Sequence, residues 1–157
     1  MRPVPLIIAG APRSGTTFFT TALNAHPQVR VSNELRLWSA FNVLRRRTET
    51  PNESLPEHPL RAAFRARMLE SLAELFRNFY ENEAGDDQMG CPGFSDGSPP
   101  RVIGDKNPAY ADSHNPGCLE FIAEMLPDAK FIHVHRDPRS CVASYNRIEN
   151  FAFERSE

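Results

Sequence analysis

Three short clusters hold the residue types from which anion chemistry is built: Gly10-Ala-Pro-Arg-Ser-Gly15-Thr16-Thr17, Gly104-Asp-Lys-Asn-Pro108, and Arg136-Asp-Pro-Arg-Ser140. The first has a glycine-to-glycine frame over four intervening residues, as in a P-loop. Gly10 and Gly15 allow a tight turn and close approach of backbone to a ligand. At a helix start, the amides of Ser14, Gly15, Thr16 and Thr17 are expected to point at an anion, helped by the helix dipole. Arg13 adds a permanent forked cation, and Thr16 and Thr17 add hydroxyl donors. Thr16 stands where a P-loop lysine belongs, so the loop reads as an anion holder ill suited to ordinary nucleoside triphosphate chemistry. The same frame also occurs in strand-to-helix turns that carry only a Ser or Thr cap.

In the second cluster, Lys106 just past a strand end could reach an anion or a leaving oxygen; its alternative is a solvated loop lysine. Asp105 ends an apolar strand, which resembles the magnesium-holding element of P-loop NTPases. In the third, Arg136 leaves a strand read as buried, so its charge needs a partner. A phosphate and a structural carboxylate such as Asp137 are the two candidates. Ser144 falls two turns into the following helix, where a small packing residue is the alternative. Glu34, at an expected helix start, is either a first-turn carboxylate favoured by the dipole or a general base facing the anion loop. His133 and His135 share one face of a strand, and buried, hydrogen-bonded histidines are favoured over a metal pair. No metal ligand set is assigned.

The elements that must position these residues alternate between strand and helix. Val4 to Ala9 reads as a buried strand closed by glycine. Thr16 to Ala25 is a helix stopped at His26-Pro27, and Val29 to Val31 is a short strand. Glu34 to Arg47 is a second helix, with Leu35, Trp38, Phe41 and Leu44 near one face. Leu60 to Tyr80 is a third, with a stripe of Leu60, Phe64, Met68, Leu72, Leu75, Phe76 and Phe79. Trp38, Phe41, Phe64, Phe76 and Phe79 are assigned to the core. Arg101 to Gly104 is a strand, Pro116 to Leu126 a helix, and Lys130 to His135 a strand. Asp137 and Pro138 then cap and open a last helix to about Asn150. Residues 50–59 and 85–100 read as loops. The pattern is α/β: a P-loop-like parallel sheet flanked by helices, in one domain over residues 1–157. Ligands in such sheets bind beyond the C-terminal strand ends, where all three clusters lie.

Composition narrows the function. Apolar residues at 40% supply a core and charged residues at 24% a surface. A net charge of −2 gives neither a nucleic-acid footprint nor a polybasic membrane surface. The 3 cysteines have no CxxC spacing, so neither a zinc site nor a disulfide framework is indicated and a reducing, cytoplasmic setting is expected. The first apolar run is too short to span a membrane and lacks signal-peptide flanks, so the mature N-terminus is expected near Met1. Of the 18 basic residues only Lys106 and Lys130 are lysines, which makes the place of Lys106 distinctive.

Together the clusters resemble the sulfotransferases that use 3′-phosphoadenosine 5′-phosphosulfate (PAPS). Ala11 to Thr17 is similar to that family's 5′-phosphosulfate loop. Phe131 to Ser144 is similar to its 3′-phosphate element, with Arg136 and Ser144 at the phosphate-binding positions. Ala25 to Arg36 resembles the branch that contains protein-tyrosine sulfotransferases and bacterial relatives, in which a glutamate after the His-Pro turn is the catalytic base; Glu34 matches it. The branch's GxKxP-like segment maps its lysine onto Lys106. The resemblance implies transfer of a sulfuryl group from PAPS to an acceptor hydroxyl, with 3′,5′-adenosine bisphosphate (PAP) as product and no metal required. It implies Glu34 as base, with Arg13 and Lys106 stabilising charge. Arg13, Ser14, Gly15, Thr16, Thr17, Arg136 and Ser144 would hold the nucleotide. It implies no particular acceptor and no oligomeric state. Family members continue past the 3′-phosphate helix, so the chain reads as truncated at its C-terminal side. A P-loop kinase or NTPase and a non-catalytic nucleotide-binding module are the alternatives.

Overall fold

A computed structural model describes residues 2–49, 58–79, 99–111 and 115–153, with side chains described to residue 147. The expected loops at 50–59 and 85–100 lie almost entirely outside the described residues, as does Tyr80. The elements run β1 (Val4–Gly10), α1 (Thr16–Asn24), β2 (Val29–Asn33), α2 (Leu37–Thr48), α3 (Pro59–Asn78), β3 (Val102–Lys106), a 3₁₀ turn (Pro108–Ala111), α4 (Cys118–Met125), β4 (Lys130–Val134) and α5 (Pro138–Phe153). The four strands form one parallel sheet in the order β2-β3-β1-β4. The α/β reading thus holds.

β1 is central because almost every residue in it is apolar and both faces must be covered. Leu6 and Ile8 face one layer, with Val31, Phe19 and Leu23 packed against them. Ile7 faces the other, with Ile103, Tyr110 and the helices α2, α3 and α4. Trp38 is the hub of that second layer. Its ring lies 5.5 Å from Phe41, 5.0 Å from Phe76 and 5.9 Å from Phe121, so one side chain ties three helices together.

Several boundaries differ from expectation for identifiable reasons. β2 extends to Asn33, and α2 begins only at Leu37, because Glu34 and Arg36 adopt left-handed φ of 63° and 59°. β3 runs on through Asp105 and Lys106, whose backbones stay paired with β1 and β2. α4 opens after a left-handed Gly117, so Pro116 lies outside its first turn. Among the described residues β4 is an edge strand with only β1 beside it, and Phe131 is 46% exposed. Arg136 therefore leaves an exposed strand end, and His133 and His135 are exposed rather than buried.

The α3 stripe is only half core. Leu72 and Phe76 are buried and Met68 and Phe79 partly so, but Leu60, Phe64 and Leu75 are largely exposed. Its 20 residues extend about 30 Å at the α-helical rise. Leu60 and Phe64 in its first two turns and Leu75 near its end stay exposed, while Leu72 and Phe76 between and beside them pack on α2 and α4. The expected consequence separates two phenylalanines of one helix. Phe76→Ala is expected to cost about 3–5 kcal/mol of stability, and Phe64→Ala less than about 0.5 kcal/mol, measured by urea unfolding. Equal losses would place Phe64 in the core after all.

Candidate active site

The C-terminal ends of β1 and β3 and the start of α5 border one cleft of about 440 Å³. At the end of β1, Gly10 lies so near β4 that an added Cβ would meet the Val134 carbonyl at 2.5 Å. The chain then turns through Arg13, at φ 67°, and Gly15, at φ 99°. The Ser14 amide donates to the Ala11 carbonyl at 3.1 Å and closes the turn. This amide is spent, contrary to expectation, and Ser14 itself is buried behind the loop, its hydroxyl unpartnered among the described residues. α1 then starts at Thr16 with no side-chain cap. The first amides of a helix have no partner inside it, so the opening of α1 presents donors to the cleft that Gly15, Thr16 and Thr17 line. The space in front of Gly15 is open, with nothing within 4 Å of an added Cβ.

Lys106 is not a solvated loop lysine. It is 1% exposed at the last position of β3. A buried ammonium must be paired, and Nζ finds Thr17 Oγ1 at 3.1 Å and Glu34 Oε1 at 2.7 Å. The backbone reinforces the pair, since the Glu34 amide donates to the Lys106 carbonyl at 2.7 Å. Glu34 is 42% exposed at its side chain, and its Oε2 has no hydrogen bond among the described residues. It stands in the turn before α2 rather than in the helix's first turn.

Arg13, Arg136 and Ser144 meet at the other end of the cleft. Arg13 Nε donates to Ser144 Oγ at 3.2 Å, and Arg136 Nη1 donates to the Arg13 carbonyl at 3.2 Å. The first and third sequence clusters are thus in direct contact. Asp137 is not the partner of Arg136. Its carboxylate takes the Arg139 amide at 2.8 Å as the α5 cap and the Arg139 guanidinium at 2.7 Å, which hold it below the usual carboxylate range. Of the residues expected to hold the nucleotide or act in the reaction, Arg13, Gly15, Thr16, Thr17, Glu34, Lys106, Arg136 and Ser144 line the cleft and Ser14 does not.

Asp105 does not line it. Alternation along β3 sends Lys106 toward α1 and Asp105 to the opposite face. There the Asp105 side chain is fully buried and accepts from the Ser32 and Tyr110 hydroxyls. The magnesium-holding reading of Asp105 fails, because its carboxylate is turned away from the anion loop. Among the described residues no group of three His, Cys, Asp or Glu could hold a metal ion, and no helix is long and apolar enough to cross a membrane.

The cleft also contains Phe18, Arg36 and Asn107, which sequence reading did not select. Asn107 is 2% exposed; its Oδ1 accepts the Ala109 amide at 3.0 Å, and its Nδ2 is unpartnered among the described residues. Its signal was its place between Lys106 and Pro108. Arg36 lies two residues beyond Glu34, and only its left-handed backbone keeps it out of α2.

A profile of the sulfotransferase family matches residues 5–157. Protein-tyrosine sulfotransferase 1 of Danio rerio is 29% identical over 154 residues, which cover 91% of this chain and 36% of the relative. Protein-tyrosine sulfotransferase 2 of Gallus gallus is 28% identical, over 91% of this chain and 34% of its own length. Protein-tyrosine sulfotransferase 1 of Homo sapiens is 26% identical over the same shares. The chain spans about a third of the length of these curated relatives.

The buried carboxyl of Asp105 has a measurable consequence. Burial pushes it up from 3.8 to about 6, against the opposing pull of its hydrogen-bond donors. The folded chain then holds this proton more tightly than the unfolded chain. The group's contribution to stability is full below pH 3.8 and is lost as pH rises through about 6. The urea midpoint of the wild type relative to Asp105→Asn is expected to fall between about pH 4 and about pH 6.5 and to level off above it. A difference independent of pH would show that Asp105 does not titrate in that window.

Proposed function

The chain belongs to the sulfotransferase family, and from that premise we propose that it takes part in transfer of a sulfuryl group from PAPS to an acceptor hydroxyl. The observation that carries this reading is the Lys106 bridge. One buried ammonium joins the anion loop, through Thr17, to the carboxylate of Glu34 at the floor of a single cleft.

The residues fit such a donor. The uncapped start of α1 and the open space before Gly15 make a cradle for a phosphosulfate. Arg13 supplies charge at its edge. Arg136 and Ser144, at the far side, suit a 3′-phosphate through forked and hydroxyl donors and so favour PAPS over ATP. Glu34 Oε2 accepts the proton of the acceptor hydroxyl as its oxygen bonds to sulfur and the sulfur–phosphate oxygen bond breaks. Lys106 stabilises charge that grows on the transferred group and on the departing phosphate of PAP. Fixed cations do this work, so the scheme calls for no metal.

Calorimetry with 3′,5′-adenosine bisphosphate against ATP, with and without magnesium, tests the reading; preference for magnesium ATP overturns it. Bisphosphate binding without transfer to any hydroxyl would make this chain a nucleotide-binding module. In an active form, Glu34→Gln is expected to lower kcat by about 100-fold or more while bisphosphate affinity stays within about twofold. Near-normal turnover removes Glu34 from the role. Arg136→Ala is expected to weaken bisphosphate binding by about tenfold or more, the worth of a charge-assisted hydrogen bond, with a much smaller loss for nucleotides lacking the 3′ group. Equal losses would make Arg136 structural through its bond to the Arg13 carbonyl.

A further inference from the structure

Asp105 is a buried carboxylate that the proposed reaction does not use, and its two hydroxyl donors come from segments that frame the cleft. The Ser32 hydroxyl reaches it from the end of β2 and the Tyr110 hydroxyl from the 3₁₀ turn. The neighbouring backbone amides of Leu35 and Lys106 also favour its charged form. An ionised carboxylate only accepts, so both hydroxyls turn their protons toward it.

The Ser32 hydroxyl is the telling partner, because Ser32 leads into the turn. Just beyond it, Glu34 and Arg36 have φ values of 63° and 59°, left-handed without a glycine. Such backbone is costly and persists only where its surroundings over-determine it. Two neighbours in β3 supply the restraint. Lys106 grips Glu34 twice, by its carbonyl to the amide and by its ammonium to Oε1. Asp105, from the opposite face of the strand, grips the flanking Ser32.

We propose that Asp105 is a positioning residue, which holds the Ser32–Arg36 turn so that Glu34 projects into the cleft against Lys106. Its catalytic relevance rests on the sulfuryl-transfer reading above; the conformational part does not. The carboxylate suits the task better than an amide, because it accepts at both oxygens and, when ionised, as a charged partner forms the stronger hydrogen bonds. Its cross-strand neighbours are Ile7 and Ser32, which carry no charge. The titratable groups around it are Tyr110 in the 3₁₀ turn, Lys106 beside it in β3 and Glu34 in the turn it holds.

The test is Asp105→Asn in the whole chain, read in two independent ways. Amide NMR of the free protein is expected to show large shifts for Glu34 and Leu35. Calorimetry is expected to give unchanged affinity for 3′,5′-adenosine bisphosphate, within about twofold, since Asp105 lies outside the cleft. Where transfer from PAPS is measurable, kcat is expected to fall about tenfold or more, with the KM for PAPS unchanged. That loss is expected to be smaller with p-nitrophenol than with a tyrosine peptide, because a more acidic phenol needs less help from a base. Leu72→Ala, which loosens the core, is the control for lost stability and leaves the Glu34 and Leu35 amides in place. Tyr110→Phe removes one donor and is expected to move the same two amides by less, which preserves the test if Asp105→Asn does not fold. Unmoved Glu34 and Leu35 amides, or a kinetic loss matched by Leu72→Ala, overturn the proposal. A wild-type chain that transfers nothing overturns the sulfuryl-transfer reading alone, because the amide shifts still decide the positioning.

Discussion

The ammonium group of Lys106 is almost wholly removed from water, and the cleft is arranged around that fact. A lone charge in such a place would be very costly, and partners with good geometry are required. Thr17 and Glu34 provide them from α1 and from the turn after β2. One side chain thus fixes the distance between the anion loop and the carboxylate. The P-loop frame lacks its own lysine at Thr16, and a cation from another strand reaches the next residue of the same loop.

That arrangement depends on sheet order. β3 lies between β2 and β1, so a residue at its end is beside both the Glu34 turn and the anion loop. β4 lies on the other side of β1 and delivers Arg136 and α5 to the far edge of that loop. Strand alternation then divides labour in β3 itself. Lys106 faces the cleft, and Asp105 faces the opposite layer, where it gathers hydroxyl and amide donors. The aromatic hub at Trp38 holds α2, α3 and α4 on that layer and so anchors the helix into which the Glu34 turn leads.

The cleft lies within a chain that belongs to the sulfotransferase family and spans about a third of the length of its curated relatives. At one end of the cleft the Gly10–Thr17 loop and α5 are in contact through Arg13, whose side chain meets Ser144 and whose carbonyl meets Arg136. A ligand bound there would engage groups already coupled to each other. Phe18, 81% exposed at the cleft, and Arg36 at its rim add an aromatic surface and a further cation whose roles an acceptor or nucleotide would define.

Much of this was legible in the sequence, for physical reasons. A continuous apolar run before glycine must be a covered strand, and glycine-framed hydroxyl residues after it must open a helix, so β1, the loop and α1 followed directly. The strand-end positions of Lys106 and Arg136 followed from the same alternation. Other features depend on contacts between distant segments. No local pattern makes Glu34 and Arg36 left-handed, since neither is a glycine or asparagine; the turn takes that form because β3 grips it. The sequence could not show that Arg136 leaves an edge strand, because strand order is a property of the sheet. Nor could it show that Leu60, Phe64 and Leu75 of the α3 stripe are exposed, because helix periodicity records a face and not what lies beneath it. Residue chemistry and spacing determined which side chains could handle an anion. The tertiary structure decided which of them meet, because a buried ammonium and a buried carboxylate each had to find partners across the sheet.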